Sequence, residues 1–286
     1  MSALGIGSLG SAPLIIDDTN YSALANEVAD PNQPELCGGY DVRLYDDAGL
    51  ASVCNGEWNG EIFPESQWPE LIRFHEENNS SPDHHHIASG CKILNQRRTN
   101  YCWIHGPAGA MQVALAQAGY DPPHLSAAAT GALIKRGRNV GGWGAEAIDG
   151  IVGNRYGMPT VDVYPEGTIN LNLARSERVR RSAAVNDELE FLKLPRERDR
   201  VPLQVIASVL LNPHEPMPIS TGFAWWGHLT FHSKFGRDQR NRWGCINVNS
   251  WGERWGNGGK SFIAMPKCLP DEGIAIRRVK HREQVA

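Results

Sequence analysis

The chain of 286 residues has no strong charge of either sign: 28 basic residues stand against 32 acidic ones, a net charge of −4. Nothing global therefore draws it to nucleic acid or to an anionic membrane surface. No apolar run approaches the roughly 20 residues of a membrane span. The opening stretch from Met1 to Gly10 lacks a cationic n-region, and glycine dilutes its apolar residues. No secretory leader is expected from it, and a cytoplasmic location is the default. The six cysteines are too sparse for a disulfide scaffold. No Cys/His cluster has zinc spacing, so neither metal nor cofactor is expected. With 30 glycines and 18 prolines the chain is also far from collagen or a low-complexity polymer. No internal repeat is visible.

What is present is an ordinary globular composition, 41% hydrophobic, in a chain long enough to bury a core without staples. Residues 1–60 mix Gly, Pro, Asn and Asp with short apolar runs such as Leu14-Ile15-Ile16, and read as an extension or arm. The packed domain is expected over 61–286. Residues 76–90, with His84-His85-His86, are polar and turn-rich and read as a solvated loop. Small and apolar residues from Cys102 to Gly119 predict a helix, with shorter ones over 125–135 and 145–153. Strands are expected at 160–164 and 168–172. The charge-rich stretch 174–200 reads as a solvated helix, and Val201–Leu211 as an apolar one. Strands follow at 217–224, 228–233, 245–249, 261–264 and 273–278. Helices early and strands late predict an α+β fold of two lobes, a helical one over about 95–170 and a strand-rich one over 171–286.

Three polar residues carry chemistry. Cys102, in Asn-Tyr-Cys-Trp-Ile-His-Gly, opens the first helix, where unpaired N–H groups and the helix dipole favour a thiolate. His228, on a predicted strand, supplies an imidazole that can take the thiol proton. Asn249, in Asn-Val-Asn-Ser-Trp-Gly, supplies a carbonyl that can orient that ring. His228 lies 126 residues after Cys102, and Asn249 lies 147 after it.

The local motifs sharpen this. Asn249-Ser-Trp-Gly-Glu-Arg-Trp-Gly-Asn-Gly-Gly259 resembles the Asn-Ser-Trp-Gly-x-x-Trp-Gly-x-x-Gly segment of the papain family of cysteine peptidases. In that family His and Asn lie about 130–150 residues after the nucleophile. Cys102-Trp103 is similar to its nucleophile dipeptide, and Gln96 stands at the family's spacing for the oxyanion glutamine. Leu125-Ser126 resembles the segment opening the next helix. Gly141-Gly142, followed by Trp143, falls where the family has paired glycines and an aromatic. The resemblance covers roughly 62–286, patchily between motifs. It implies a papain-like two-lobed fold, and Cys102 as nucleophile, His228 as base then acid and Asn249 as its orienter. Gln96 and the Cys102 N–H would be oxyanion donors. Gly141, Gly142 and Trp143 would line the substrate cleft. Trp251 would cover the Asn249–His228 bond beside it. The implied partner is a peptide or protein substrate.

Departures accompany it. Thr99 and Asn139 stand where many secreted members carry a disulfide. Pro107, five residues after Cys102, either distorts the helix's first turn or marks its start. The helical pattern of the family's inhibitory pro-segment is not seen in residues 1–90. These leave a second expectation open: a papain-fold structural or assembly protein, for example in a phage virion, with residues 1–60 reaching an assembly partner. A third keeps the chemistry but changes the acceptor, as in an amidase or transpeptidase. Cys245 and Cys268 could pair. His232 competes with His228 for the base role.

Overall fold

The computed structural model describes residues 13–29, 38–44, 46–183 and 189–278; Cys37 lies outside them. An eight-stranded sheet organises the chain, in the order β1-β7-β6-β5-β4-β8-β3-β2. Its centre is β4 (Ile219–Phe223), β5 (His228–Arg237), β6 (Trp243–Val248), β7 (Lys260–Ala264) and β8 (Glu272–Arg278), close to the predicted strands. β3 (Leu189–Lys193) pairs antiparallel with β8. The two edges are unexpected. β1 (Ile15–Ile16) adds parallel to β7, and β2 (Gly56–Glu57) adds parallel to β3. The N-terminal segment is thus docked on both rims of its own sheet.

One face of the sheet carries α5 (Cys102–Gln117), which packs against β5. Every residue of α5 from Cys102 to Ala116 is buried. A helix with no solvent face has no amphipathic period, so small residues mark it in the sequence instead. Those small residues set the spacing. A Cβ on Gly106 would come within 2.2 Å of Leu229 Cδ2, and one on Gly109 within 2.6 Å of the Phe231 ring. The helix begins at Cys102 and carries Pro107 inside it. The alternative start at Pro107 is therefore excluded, and Cys102 lies in the first turn, where the dipole acts.

α6 (Ala127–Ile134) and α7 (Gly144–Ile148) stand on the same side as α5, around a core that includes Trp103, Met111, Leu229, Phe231, Ile274 and Ile276. The opposite face is covered by α3 (Trp68–Asn78) and α10 (Leu203–Leu210), over Ile206, Phe223, Phe235 and Cys245. β5 serves both cores. Leu229 and Phe231 face α5, but an irregularity between His232 and Lys234 shifts the phase, and Phe235 turns to the other side.

Three expectations fail. Residues 82–88 form a helix, α4 (Pro82–Ala88), capped by the Ser81 hydroxyl, not a solvated loop. Asp83 there is buried against Lys260 Nζ at 2.7 Å and the Ser233 hydroxyl at 2.8 Å, and His86 is buried beside it. Asp83 can be buried there because its charge is paired and hydrogen-bonded. Stretches 160–164 and 168–172 form turns and the start of α8 (Leu171–Ala174), because buried Tyr164 caps the loop through Asn170 N–H at 2.8 Å. The charge-rich 174–200 region yields only short α9 (Glu177–Ser182) among its described residues before β3. In 1–60 two further helices appear, α1 (Tyr21–Ala29) and α2 (Asp47–Val53).

Candidate active site

The sheet places His228 against Asn249, and the segment after Asn249 against Gln96, while Cys102 opens α5. His228 opens β5 and is fully buried. Its Nε2 lies 2.7 Å from Asn249 Oδ1, so the imidazole donates there and Nδ1 remains the basic nitrogen. Nδ1 is buried without a hydrogen-bond partner. Trp251 stacks on the ring with centroids 4.5 Å apart, and Trp226 meets it edge-on at 5.0 Å. These indoles exclude water from the Asn249–His228 bond, which strengthens it. His232, the rival base, instead faces the Cys268 carbonyl at 3.1 Å.

Gln96 is braced by the segment after Asn249. Its Oε1 accepts from the Ser250 hydroxyl at 2.6 Å, and its N–H reaches Ser250 O at 2.8 Å. The Nε2 then donates to Thr99 O at 2.7 Å and to Gly38 O at 3.3 Å. Asn139 is tied by hydrogen bonds to the two residues flanking Thr99. Asn139 Oδ1 accepts from Asn100 N–H at 2.6 Å, and its Nδ2 donates to Arg98 O at 3.1 Å. Cys245 and Cys268, both buried, are not bridged; their thiols hydrogen-bond side by side.

Sequence reasoning missed residues 38–41, whose backbone runs between Gly142 and Gly227. Gly39 and Tyr40 N–H both donate to Gly227 O at 3.1 Å. Gly142 N–H donates to Gly39 O at 2.8 Å, and Asp41 N–H donates to Gly142 O at 3.0 Å, a parallel bridge. The glycines make this approach feasible. A Cβ on Gly141 would meet Gly39 O at 2.5 Å, and one on Gly39, at φ +129°, would meet Asn100 O at 2.2 Å. The paired Gly38-Gly39 was the available signal, since adjacent glycines mark close backbone contact. Trp143 follows Gly142 as the cap of α7.

Among the described residues no group of three or more metal-ligating side chains exists, and no helix is long and apolar enough to cross a membrane.

The comparisons address the architecture. No protein-family profile matches the sequence, and no curated protein matches it. Solved structures do. Xylellain, a cysteine protease from Xylella fastidiosa, superposes with a TM-score of 0.53 at 14% identity over 85% of this chain and 96% of its own. The fold is papain-like. Digestive procathepsin L 3 of Tenebrio molitor larval midgut gives 0.53 at 17% identity, covering 92% of this chain and 90% of its own. The proform of the ragweed pollen allergen Amb a 11, a cysteine protease, gives 0.53 at 14% over 72% of this chain. The chain spans 65% of that proform's length.

Burial in this papain-like framework sets a pH response. Burial pushes His228 down to about 3, and His232 and His86 to about 4. Unfolded, each titrates near 6.5. Below that pH the unfolded chain binds protons the folded chain refuses, so stability falls as pH drops from 6.5 toward 4. Glu272 runs the other way: burial raises it to about 8, so its penalty grows as pH climbs from 4.5 to 8. Three imidazoles outweigh one carboxyl on the acid side. The urea midpoint should therefore rise between pH 4 and 6.5 and decline gently toward 8. A midpoint flat from pH 4 to 6.5 would contradict these burial assignments.

Proposed function

We propose that the chain is a cysteine peptidase acting through Cys102, His228 and Asn249. The observation that carries this reading is the backbone of residues 38–41 bonded to Gln96, Gly142 and Gly227 together. Its Gly38 carbonyl lies at Gln96 Nε2, and its amides pair with Gly142 and with Gly227, the residue preceding His228. A cleft that pairs with one peptide backbone has the donors and acceptors to hold another.

In the proposed reaction His228 Nδ1 takes the Cys102 thiol proton, and the sulfur adds to the scissile carbonyl carbon. The resulting oxyanion accepts hydrogen bonds from Gln96 Nε2 and the Cys102 N–H. As the C–N bond breaks, the imidazolium gives its proton to the departing amine and leaves a thioester. A water molecule, deprotonated by the same imidazole, then attacks the thioester carbon; the acid departs and the thiol recovers its proton. Asn249 holds the ring in one tautomer throughout.

The filled cleft also favours a second reading, in which the scaffold serves assembly and residues 38–41 are a permanent filling. The two readings separate experimentally. As a peptidase, the full chain hydrolyses fluorogenic peptide amides once residues 38–41 are weakened by substitution, and Cys102→Ala abolishes that turnover. As an assembly scaffold, it shows no turnover with the cleft filled or freed.

A further inference from the structure

We propose that His105 is a positioning residue for the His228–Asn249 pair, holding the nitrogen end of the Asn249 amide through one water molecule seated between them. This rests on the peptidase reading above. His105 lies in the first turn of α5, just after Cys102, and is 2% exposed. Its Nδ1 stands 2.7 Å from the Tyr101 carbonyl oxygen. A carbonyl only accepts, so Nδ1 carries the proton and Nε2 presents a lone pair. Among the described residues no protein group donates to that lone pair. Asn249 is the reverse case. Its Oδ1 accepts from His228 Nε2 and from the Ser250 N–H, each at 2.7 Å, while its Nδ2 is buried without a partner. A buried donor left without an acceptor is costly. His105, Asn249 and Ser250 border one small cavity, with room for about one water molecule. Gly106 and Gly109 form the α5 side of it, where no side chain takes up the space. A water there accepts from Asn249 Nδ2, donates to His105 Nε2 and satisfies both.

The choice of an imidazole at this place has no packing reason. Its neighbours along α5, Ile104, Ala108 and Met111, join the apolar core, and an apolar ring would fill the same volume. Burial holds His105 below the usual histidine range, against the Tyr101 carbonyl and Glu166, so the ring stays a neutral acceptor at neutral pH. Burial likewise lowers His228, the Asn249 bond opposes it, and charge on His105 would lower it further, which makes the two rings electrostatic neighbours. The link to chemistry is the orientation of the amide. Were Asn249 to turn over, Nδ2 would face His228 Nε2. Two donors cannot pair, so the ring would move its proton to Nδ1, the nitrogen that has to accept from Cys102. The Ser250 N–H resists that turn from the oxygen end, and the water on His105 resists it from the nitrogen end.

The first test reads the tautomer of His228 by nitrogen-15 NMR in the full chain carrying Cys102→Ala, where no thiol exchanges a proton with the ring. With His105 in place His228 should be protonated on Nε2 alone. His105→Phe and His105→Leu, which remove the acceptor, should each add an Nδ1-protonated population, and His105→Gln, which restores an acceptor, should remove it. A crystal structure of the same chain should show a water within about 2.7–3.2 Å of both His105 Nε2 and Asn249 Nδ2. The second test reads turnover of a fluorogenic peptide in the full chain carrying Gly39→Val. Adding His105→Phe should lower kcat by roughly 3- to 10-fold and leave KM within about twofold, with His105→Gln recovering most of the loss. A His228 tautomer unmoved by both apolar replacements, a cavity without that water, or equal losses for Phe and Gln overturns the proposal. A tautomer that shifts as expected in a chain without turnover supports His105 and removes the peptidase reading. Turnover with an unmoved tautomer keeps the peptidase reading and removes His105.

Discussion

Cys102→Ala should abolish peptide hydrolysis while leaving the fold in place. The expected loss is about 10³-fold or more, because removing the nucleophile leaves only the oxyanion donors and binding to act. The structural cost is small by comparison. Cys102 is fully buried in the first turn of α5, against Tyr101 and Trp103, and alanine removes one sulfur from a well-packed site. A loss of about 1 kcal/mol in unfolding free energy is the scale expected. His228→Ala should reduce turnover by a similar factor, since the thiol then has no neighbouring base and the leaving amine no acid. The comparison of interest is Cys245, buried like Cys102 but on β6 and hydrogen-bonded to Cys268. Cys245→Ala should leave turnover within a few-fold of the parent. Undiminished hydrolysis by Cys102→Ala, or equal losses in the two variants, would contradict the assignment.

The second large effect is a gain. Gly39→Val should raise the rate at which the cleft accepts substrates or electrophiles by roughly 10²-fold. Gly39 has φ +129°, a conformation that L side chains rarely adopt, and its Cβ would come within 2.2 Å of Asn100 O. Valine cannot keep this geometry, so the bonds made by residues 38–41 weaken together. These are the two to Gly227 O, the two with Gly142 and the one from Gln96. At about 0.5–1.5 kcal/mol each, losing two or three of them is worth the 2.7 kcal/mol or so that corresponds to a hundredfold shift. The edge strands β1 and β2 flank this segment in sequence, so it can leave the cleft while the rest of the N-terminal region stays docked. Proteolysis should register the same change, with limited trypsin or thermolysin cutting near residues 38–44 faster in Gly39→Val than in the parent. Unaltered labelling and unaltered proteolysis would mean that these residues do not control access.

The candidate site was largely legible because its residues are tied to local pattern. Asn249 through Gly259 is a contiguous signature, and Cys102 and Gln96 lie six residues apart. The five central strands were legible because each is a compact apolar run between turn formers, as in Ile219–Phe223 and Lys260–Ala264. What escaped was pairing made through the main chain. Residues 38–41 and the two-residue strands β1 and β2 bind through N–H and C=O groups that every residue owns, so no side-chain period announces them. α4 escaped for a different reason: its histidines and Pro82 read as loop chemistry, while the partner that lets Asp83 be buried, Lys260, lies 177 residues away. Alternating valines at 161 and 163 imitate a strand, and the tertiary capping by Tyr164 overrides them. Glu272 looks like an ordinary surface charge until the register with Gly222 turns it inward.

The most direct test of the central claim is peptide mapping after treatment of the full chain with an epoxysuccinyl peptide, an electrophile that alkylates activated thiols. The account predicts one adduct per chain on Cys102, formed faster in Gly39→Val and lost in Gly39→Val with His228→Ala. Adducts spread over Cys54 and Cys91, or a Cys102 adduct formed equally fast without His228, would contradict it.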